Sequence, residues 1–155
     1  MSKKKTEILL PLSNEYNQAL AFCRHIRRGF NLSVDPQRMK MYSNWFFQKN
    51  LKPHFEVEED FIFSALNNRE EAVVKSRKYQ RKLKKLFLNQ DEIEKSLSLT
   101  EELLEAYIRF EKKKLIDLIT EKIDSRRLNL IMNIYSASVM YEDWCDRFWE
   151  NKELN

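Results

Sequence analysis

An all-helical fold is what this chain predicts, on three observations. Its 155 residues contain one glycine and three prolines, whereas strand-rich folds need turn residues every ~8–12 positions. Apolar residues recur every three or four positions over long stretches, as amphipathic helices require. Helix-start residues (Ser13, Asp35 with Pro36, Thr100, Asp124) separate those stretches. With 43% hydrophobic residues, a chain this long can bury a core without covalent staples.

Residues 1–12 read as a basic arm ending in the apolar strip ILLPL, ahead of a single domain over 13–150. A first helix is expected over about 14–28: Ser13 caps it, Glu15 suits the positive N-terminal end, Tyr16, Leu20, Cys23 and Ile26 form its apolar face, and Gly29 stops it. Asp35 and Pro36 open a second helix, which Pro53 should kink before it resumes to Leu66. A third, strongly basic helix is expected over 69–88, and residues 89–99 form a connection. Thr100 caps a fourth helix running to Ile123. Asp124 or Ser125 caps a fifth, extending to about 149 with Trp144, Phe148 and Trp149 on one face. Long helices joined by short links pack most economically as an up-down four-helix bundle, here with an additional C-terminal helix. An open aromatic face on that last helix would pair two copies of the chain as a homodimer.

The net charge is +4 with the signs interspersed, which permits a polyanionic partner without demanding one. Lys75, Lys78, Lys82 and Lys85 form a stripe that reads as a solvated face, so nucleic acid is not expected. Two cysteines build no disulfide framework. One glycine excludes a glycine-rich phosphate loop, and two histidines leave few arrangements for nucleophilic catalysis. The opening MSKKKTEILLPL has no apolar run fit for a secretion leader, and no stretch suits a membrane span. The cytoplasm is the expected location.

The chemistry concentrates in KPHFEVEEDFIF. His54 and Glu58 are four apart and share one helix face. An imidazole and a carboxylate so placed can reach one metal ion. YIRFEKKKL repeats the spacing with Tyr107 and Glu111.

These two segments, LKPHFEVEEDFIFSAL and LLEAYIRFEKKKLIDLI, resemble the two halves of the cation-binding pattern of the hemerythrin family. PLSNEYNQALAFCRHIRRG resembles the family's Leu-Ser-x-Glu-His opening, and YQRKLKKL its Glu-His-Arg-x-Leu segment. The likeness covers about residues 11–120 in order. It implies a four-helix bundle with a metal centre between the helices, paired iron in the members that carry it. His54, Glu58 and Glu111 match ligand positions of the family; Tyr16, Gln80 and Tyr107 stand where it has histidine. His25, nine residues past Tyr16, replaces none of them and reads as a helix C-terminal residue favourable to the dipole.

Losing three imidazoles leaves too few donors for two metal ions. The leading expectation is therefore a non-enzymatic binding or interaction module with no cofactor, whose Tyr16, Gln80 and Tyr107 hydrogen-bond the abandoned carboxylates and whose partner is an unidentified protein or small ligand. The alternative is a protein that holds iron or another divalent metal through a residual site of His54, Glu58, Glu111 and a tyrosine, for oxygen or nitric-oxide binding, sensing or metal handling.

Overall fold

The computed structural model of the chain describes residues 2–138 and 143–150. Every regular element among them is helical. In order these are α1 (Ser2–Ile8), α2 (Leu10–Asn31), α3 (Pro36–Phe46), α4 (Lys52–Val57), α5 (Glu71–Leu88), α6 (Ile93–Phe110), α7 (Ile116–Lys122) and α8 (Ser125–Ser138). Three turns of π-helix interrupt them: Phe47–Leu51 between α3 and α4, Glu58–Ile62 after α4, and Glu111–Leu115 between α6 and α7. No helix is long and apolar enough to cross a membrane among the described residues.

Several ends follow the capping chemistry and several do not. Asp35 Oδ1 accepts from the Gln37 amide at 3.0 Å, with Pro36 in the first turn, as its missing N–H favours. Asp124 Oδ1 accepts from the Arg127 amide at 2.9 Å and starts α8. The expected arm over 1–12 is instead helical: α1 packs against α8, Leu9 and Leu12 are buried, and Lys5 Nζ donates to the carbonyls of Thr120 and Ile123. Ser13 caps nothing, because α2 already begins at Leu10 with Pro11 in its first turn.

Gly29 is not a stop either. It lies inside α2, and a Cβ there would sit 2.4 Å from Met39 Sδ and 2.9 Å from Phe148 Cε1. Its role is to let α3 and the C-terminal segment approach the helix backbone. The left-handed residue after α2 is Ser33, at φ 56°. Thr100 lies mid-helix and donates to the Ser96 carbonyl at 2.6 Å; the turn before α6 is held by Asn89 Oδ1, which accepts from the amides of Asp91 and Glu92.

Contacts pair the long helices antiparallel. Tyr16 at one end of α2 meets Glu111 beyond α6, while Arg27 at the other end pairs with Glu101 and Glu105. Along α3–α4, Tyr42 reaches His25 and His54 reaches Glu15. Gln80 of α5 meets both Glu58 and Tyr107. The core between them is continuous, from Leu12 and Phe22 through Phe46, Leu83 and Leu104 to Leu128 on α8.

The C-terminal expectation needs correction. Helix α8 ends at Ser138, residues 139–142 lie outside the described part, and 143–150 are non-helical. Trp144, Phe148 and Trp149 therefore do not form a helical face. Phe148 is buried against Tyr42, and Trp149 stacks on His25 with centroids 3.8 Å apart and planes 3° apart. Arg38 holds this segment through two hydrogen bonds to Asp146, at 3.0 and 2.6 Å. His25 is also not what its place suggested. It sits over a turn before the end of α2, and burial first, then Arg24 and Arg147, lower its pKa to about 4. A neutral ring contributes packing rather than charge to the helix end.

Candidate functional site

Pro53 has no N–H to return to a carbonyl of the preceding turn. The π turn ahead of it absorbs the fault, with the Lys52 amide bonding to the Phe47 carbonyl five residues back. Each π turn inserts one residue and swings the following face by about 100°. The other two start on the two acidic residues singled out above: the amide of Phe63 bonds the carbonyl of Glu58, and that of Ile116 the carbonyl of Glu111. Turns of this kind favour functional sites. The swing after Glu58 also leaves Phe61 39% exposed, while Ile62 and Phe63 are buried.

His54, Glu58 and Glu111 come together in the interior, at 3%, 0% and 0% exposure. One donor atom from each lies within 4.8 Å of the others. His54 Nε2 is 3.2 Å from Glu58 Oε2 and 3.7 Å from Glu111 Oε1. Tyr16, Gln80 and Tyr107 surround the same spot. The Tyr16 hydroxyl donates to Glu111 Oε1 at 3.0 Å, the Tyr107 hydroxyl to Glu58 Oε1 at 2.8 Å, and the Gln80 amide to the same Glu58 oxygen and, at 3.2 Å, to the Tyr107 hydroxyl oxygen. All six residues named from the sequence thus converge.

Two further residues belong to the site. Glu15 is buried beside Tyr16, and its Oε1 lies 3.0 Å from His54 Nδ1. That contact orients the ring so that Nε2 faces Glu58 and Glu111. Sequence reasoning had treated Glu15 only as a first-turn acid, although the Leu-Ser-x-Glu-His likeness already contained it. Tyr135 of α8 is 1% exposed and places its ring 5.5 Å from that of His54. The buried stripe Leu128, Ile131, Met132, Tyr135, at helical spacing, was the signal that could have found it.

Burial is costly for so many ionisable groups. It pushes the Glu58 pKa well above the usual carboxylate range, with the charge of Glu111 adding to the effect and His54 opposing it. For His54, burial disfavours the charged ring, but the charge of Glu58 and the nearby carboxylates of Glu111 and Glu15 outweigh it and hold the pKa well above its usual value. Burial, then Glu111 and Glu58, raises the phenols of Tyr16 and Tyr107, keeping them neutral donors. The site therefore attracts positive charge. Glu15 Oε2, His54 Nε2, Glu58 Oε2, Glu111 Oε2 and the Tyr135 hydroxyl are buried with no hydrogen-bond partner among the described residues.

The donor set does not fit a pair of metal ions. It offers one imidazole and two carboxylates, and an oxygen of each carboxylate already accepts from Tyr16, or from Tyr107 and Gln80. It does fit a single ion. Two donors ~2.1 Å from one ion and 90–110° apart lie roughly 3.0–3.4 Å from each other, close to the separations at His54 Nε2. Beside the ring is a cavity of about 10 Å³ lined by Glu15, Tyr16, Asn50 and His54, among others, which is space for about one water.

No family model, curated protein or solved structure matches this chain.

Proposed function

We propose that the chain is a hemerythrin-like four-helix bundle that has given up a paired-metal centre and holds one metal ion, iron in the first instance, on His54, Glu58 and Glu111. The order of the four resembling segments, the antiparallel packing of α2, α3–α4, α5 and α6, and the meeting of all six matched positions in one interior spot support this reading. One observation carries it: His54, Glu58 and Glu111, all buried, bring one donor atom each within 4.8 Å of one another, and each carboxylate keeps an oxygen with no hydrogen-bond partner among the described residues, while Glu15 anchors the other nitrogen of the same imidazole. A carboxylate–histidine pair of this kind orients a metal ligand and raises its basicity.

The role that follows is binding rather than catalysis. The adjoining cavity has space for about one water, too little for an organic substrate. Holding the ion, or sensing a diatomic ligand at it, is the activity such a space supports.

A second reading, an interaction module with no metal, rests on a different observation. Tyr16, Gln80 and Tyr107 each turn a polar atom onto a carboxylate or its partner, as a self-contained network needs. Protons on Glu58 and His54 then supply the positive charge. Calorimetric titration of metal-stripped protein with ferrous iron, under anaerobic conditions, and with zinc separates the two. The metal reading expects one saturable site that His54→Ala and Glu58→Gln abolish. No saturable binding of either ion leaves the module reading standing alone.

A further inference from the structure

The tyrosines of the site are not equivalent. Tyr16 spends its hydroxyl on Glu111, and Tyr107 spends its own on Glu58 while accepting from Gln80. Tyr135 comes from α8, beyond the stretch of chain that carries the family likeness. Its hydroxyl is buried and, among the described residues, has no hydrogen-bond partner. A buried phenol of this kind is destabilising unless something occupies it. Its ring lies against the His54 ring, centroids 5.5 Å apart and tilted 43°. Glu58, Glu15 and Glu111, the three carboxylates of the site, are also the charges its hydroxyl feels; after burial they are what raise its pKa.

Resting on the single-ion reading above, we infer that Tyr135 is the fourth protein donor, its phenol oxygen turned to the same ion as His54, Glu58 and Glu111. This adds a ligand from a helix to which nothing else assigned a role. It also makes α8 part of the site rather than a cover over it. The chemistry suits a ferric ion, a hard acid for which a phenolate is a strong ligand; tyrosine serves as an iron ligand elsewhere in biology. The step is a ligand exchange with no change of oxidation state: a water bound to the ferric ion departs, the Tyr135 O–H bond breaks, an O–Fe(III) bond forms, and the proton leaves to solvent with that water. The charge balances, since one imidazole and three anionic oxygens neutralise a trivalent ion, leaving Glu15 to the imidazole N–H. Tyr16 and Tyr107 remain neutral hydrogen-bond donors to the ligating carboxylates.

The test is the visible spectrum of protein loaded with a ferric salt, read beside iron stoichiometry. Wild-type protein should bind one equivalent and show a phenolate-to-iron charge-transfer band. Tyr135→Phe should keep helical circular dichroism and bound iron but lose the band, whereas Tyr16→Phe and Tyr107→Phe should retain it. One equivalent of iron with no such band in the wild type overturns the assignment of Tyr135 and leaves the single-ion reading intact. A band that survives in Tyr135→Phe, or vanishes only in Tyr16→Phe or Tyr107→Phe, does the same. Failure of the wild type to take up iron or zinc at all overturns both.

Discussion

Replacing Glu58 by glutamine should move stability in opposite directions with and without metal. In the metal-free protein Glu58 is completely buried, and burial together with Glu111 makes its charge unfavourable. A glutamine keeps the shape. Its amide oxygen can accept from Tyr107 and Gln80, and its NH₂ takes the place of Oε2, 3.2 Å from His54 Nε2, which can accept from it once the ring is neutral. Exchanging buried ionic groups for neutral ones of similar volume is commonly neutral or stabilising, by up to about 4 kcal/mol. A gain of ~1–2 kcal/mol corresponds to a rise in Tm of roughly 2–8 °C for a chain of this size. With metal at one hundred times its Kd, the wild type gains ~2.7 kcal/mol by mass action, and Glu58→Gln, lacking a ligand, gains nothing. Thermal melts monitored by circular dichroism at pH 7.5, in chelator and then in excess zinc, should therefore cross: the variant melts higher in chelator and lower in zinc. A variant that melts several degrees below wild type in chelator would refute the account of Glu58 as a buried and unfavourable charge. Equal gains in zinc would refute its role as a ligand.

Three further outcomes follow from the same geometry. Glu15→Gln, which leaves a neutral partner for His54 Nδ1, should weaken zinc affinity by about 10-fold in calorimetry with little change in helical content, as loss of an outer partner of a metal-bound histidine does. Tyr107→Phe should lower metal-free stability by ~1–2 kcal/mol in urea melts, because Glu58 Oε1 then keeps only Gln80. The pH dependence has a defined sign. His54 has a raised pKa when folded, so its contribution is present below its unfolded value of 6.5 and is lost as pH climbs through the folded one. Glu58 is likewise raised, so the folded state binds the extra proton and stability falls as pH climbs above 4.5. Metal-free Tm should therefore decline from pH 5 to pH 8, while zinc affinity should increase over the same range because ligation displaces those protons. A metal-free Tm that rises across that range would contradict both shifts.

How much of this was legible in the sequence varies by level. Helical periodicity and the Asp35–Pro36 signal located α2, α3–α4 and α5 well, because local chemistry determines them. Ser13 and Thr100 misled, since each is a competent cap that tertiary packing overrode: α2 gains Leu12 and α6 gains Leu97 in the core by starting earlier. Gly29 was read through backbone freedom, yet its value lies in a close approach by Met39 and Phe148 from distant parts of the chain, which no local pattern reveals. The end of the chain failed for a similar reason. Trp144, Phe148 and Trp149 look like a helical stripe but pack in a non-helical segment against Tyr42 and His25. His54, Glu58 and Glu111 were legible because helical spacing and the two resembling segments both pointed to them. Tyr135 was not, because its neighbours in space are some eighty residues and some twenty-five residues away in sequence and belong to no shared motif.

The most direct test of a single metal ion on His54, Glu58 and Glu111 is an anomalous-difference map from crystals grown with iron or zinc, collected at the absorption edge of that metal. The account requires one peak, within bonding distance of His54 Nε2 and a carboxylate oxygen of both Glu58 and Glu111. Two peaks bridged by those carboxylates, or none in protein shown to be saturated with metal, would contradict it.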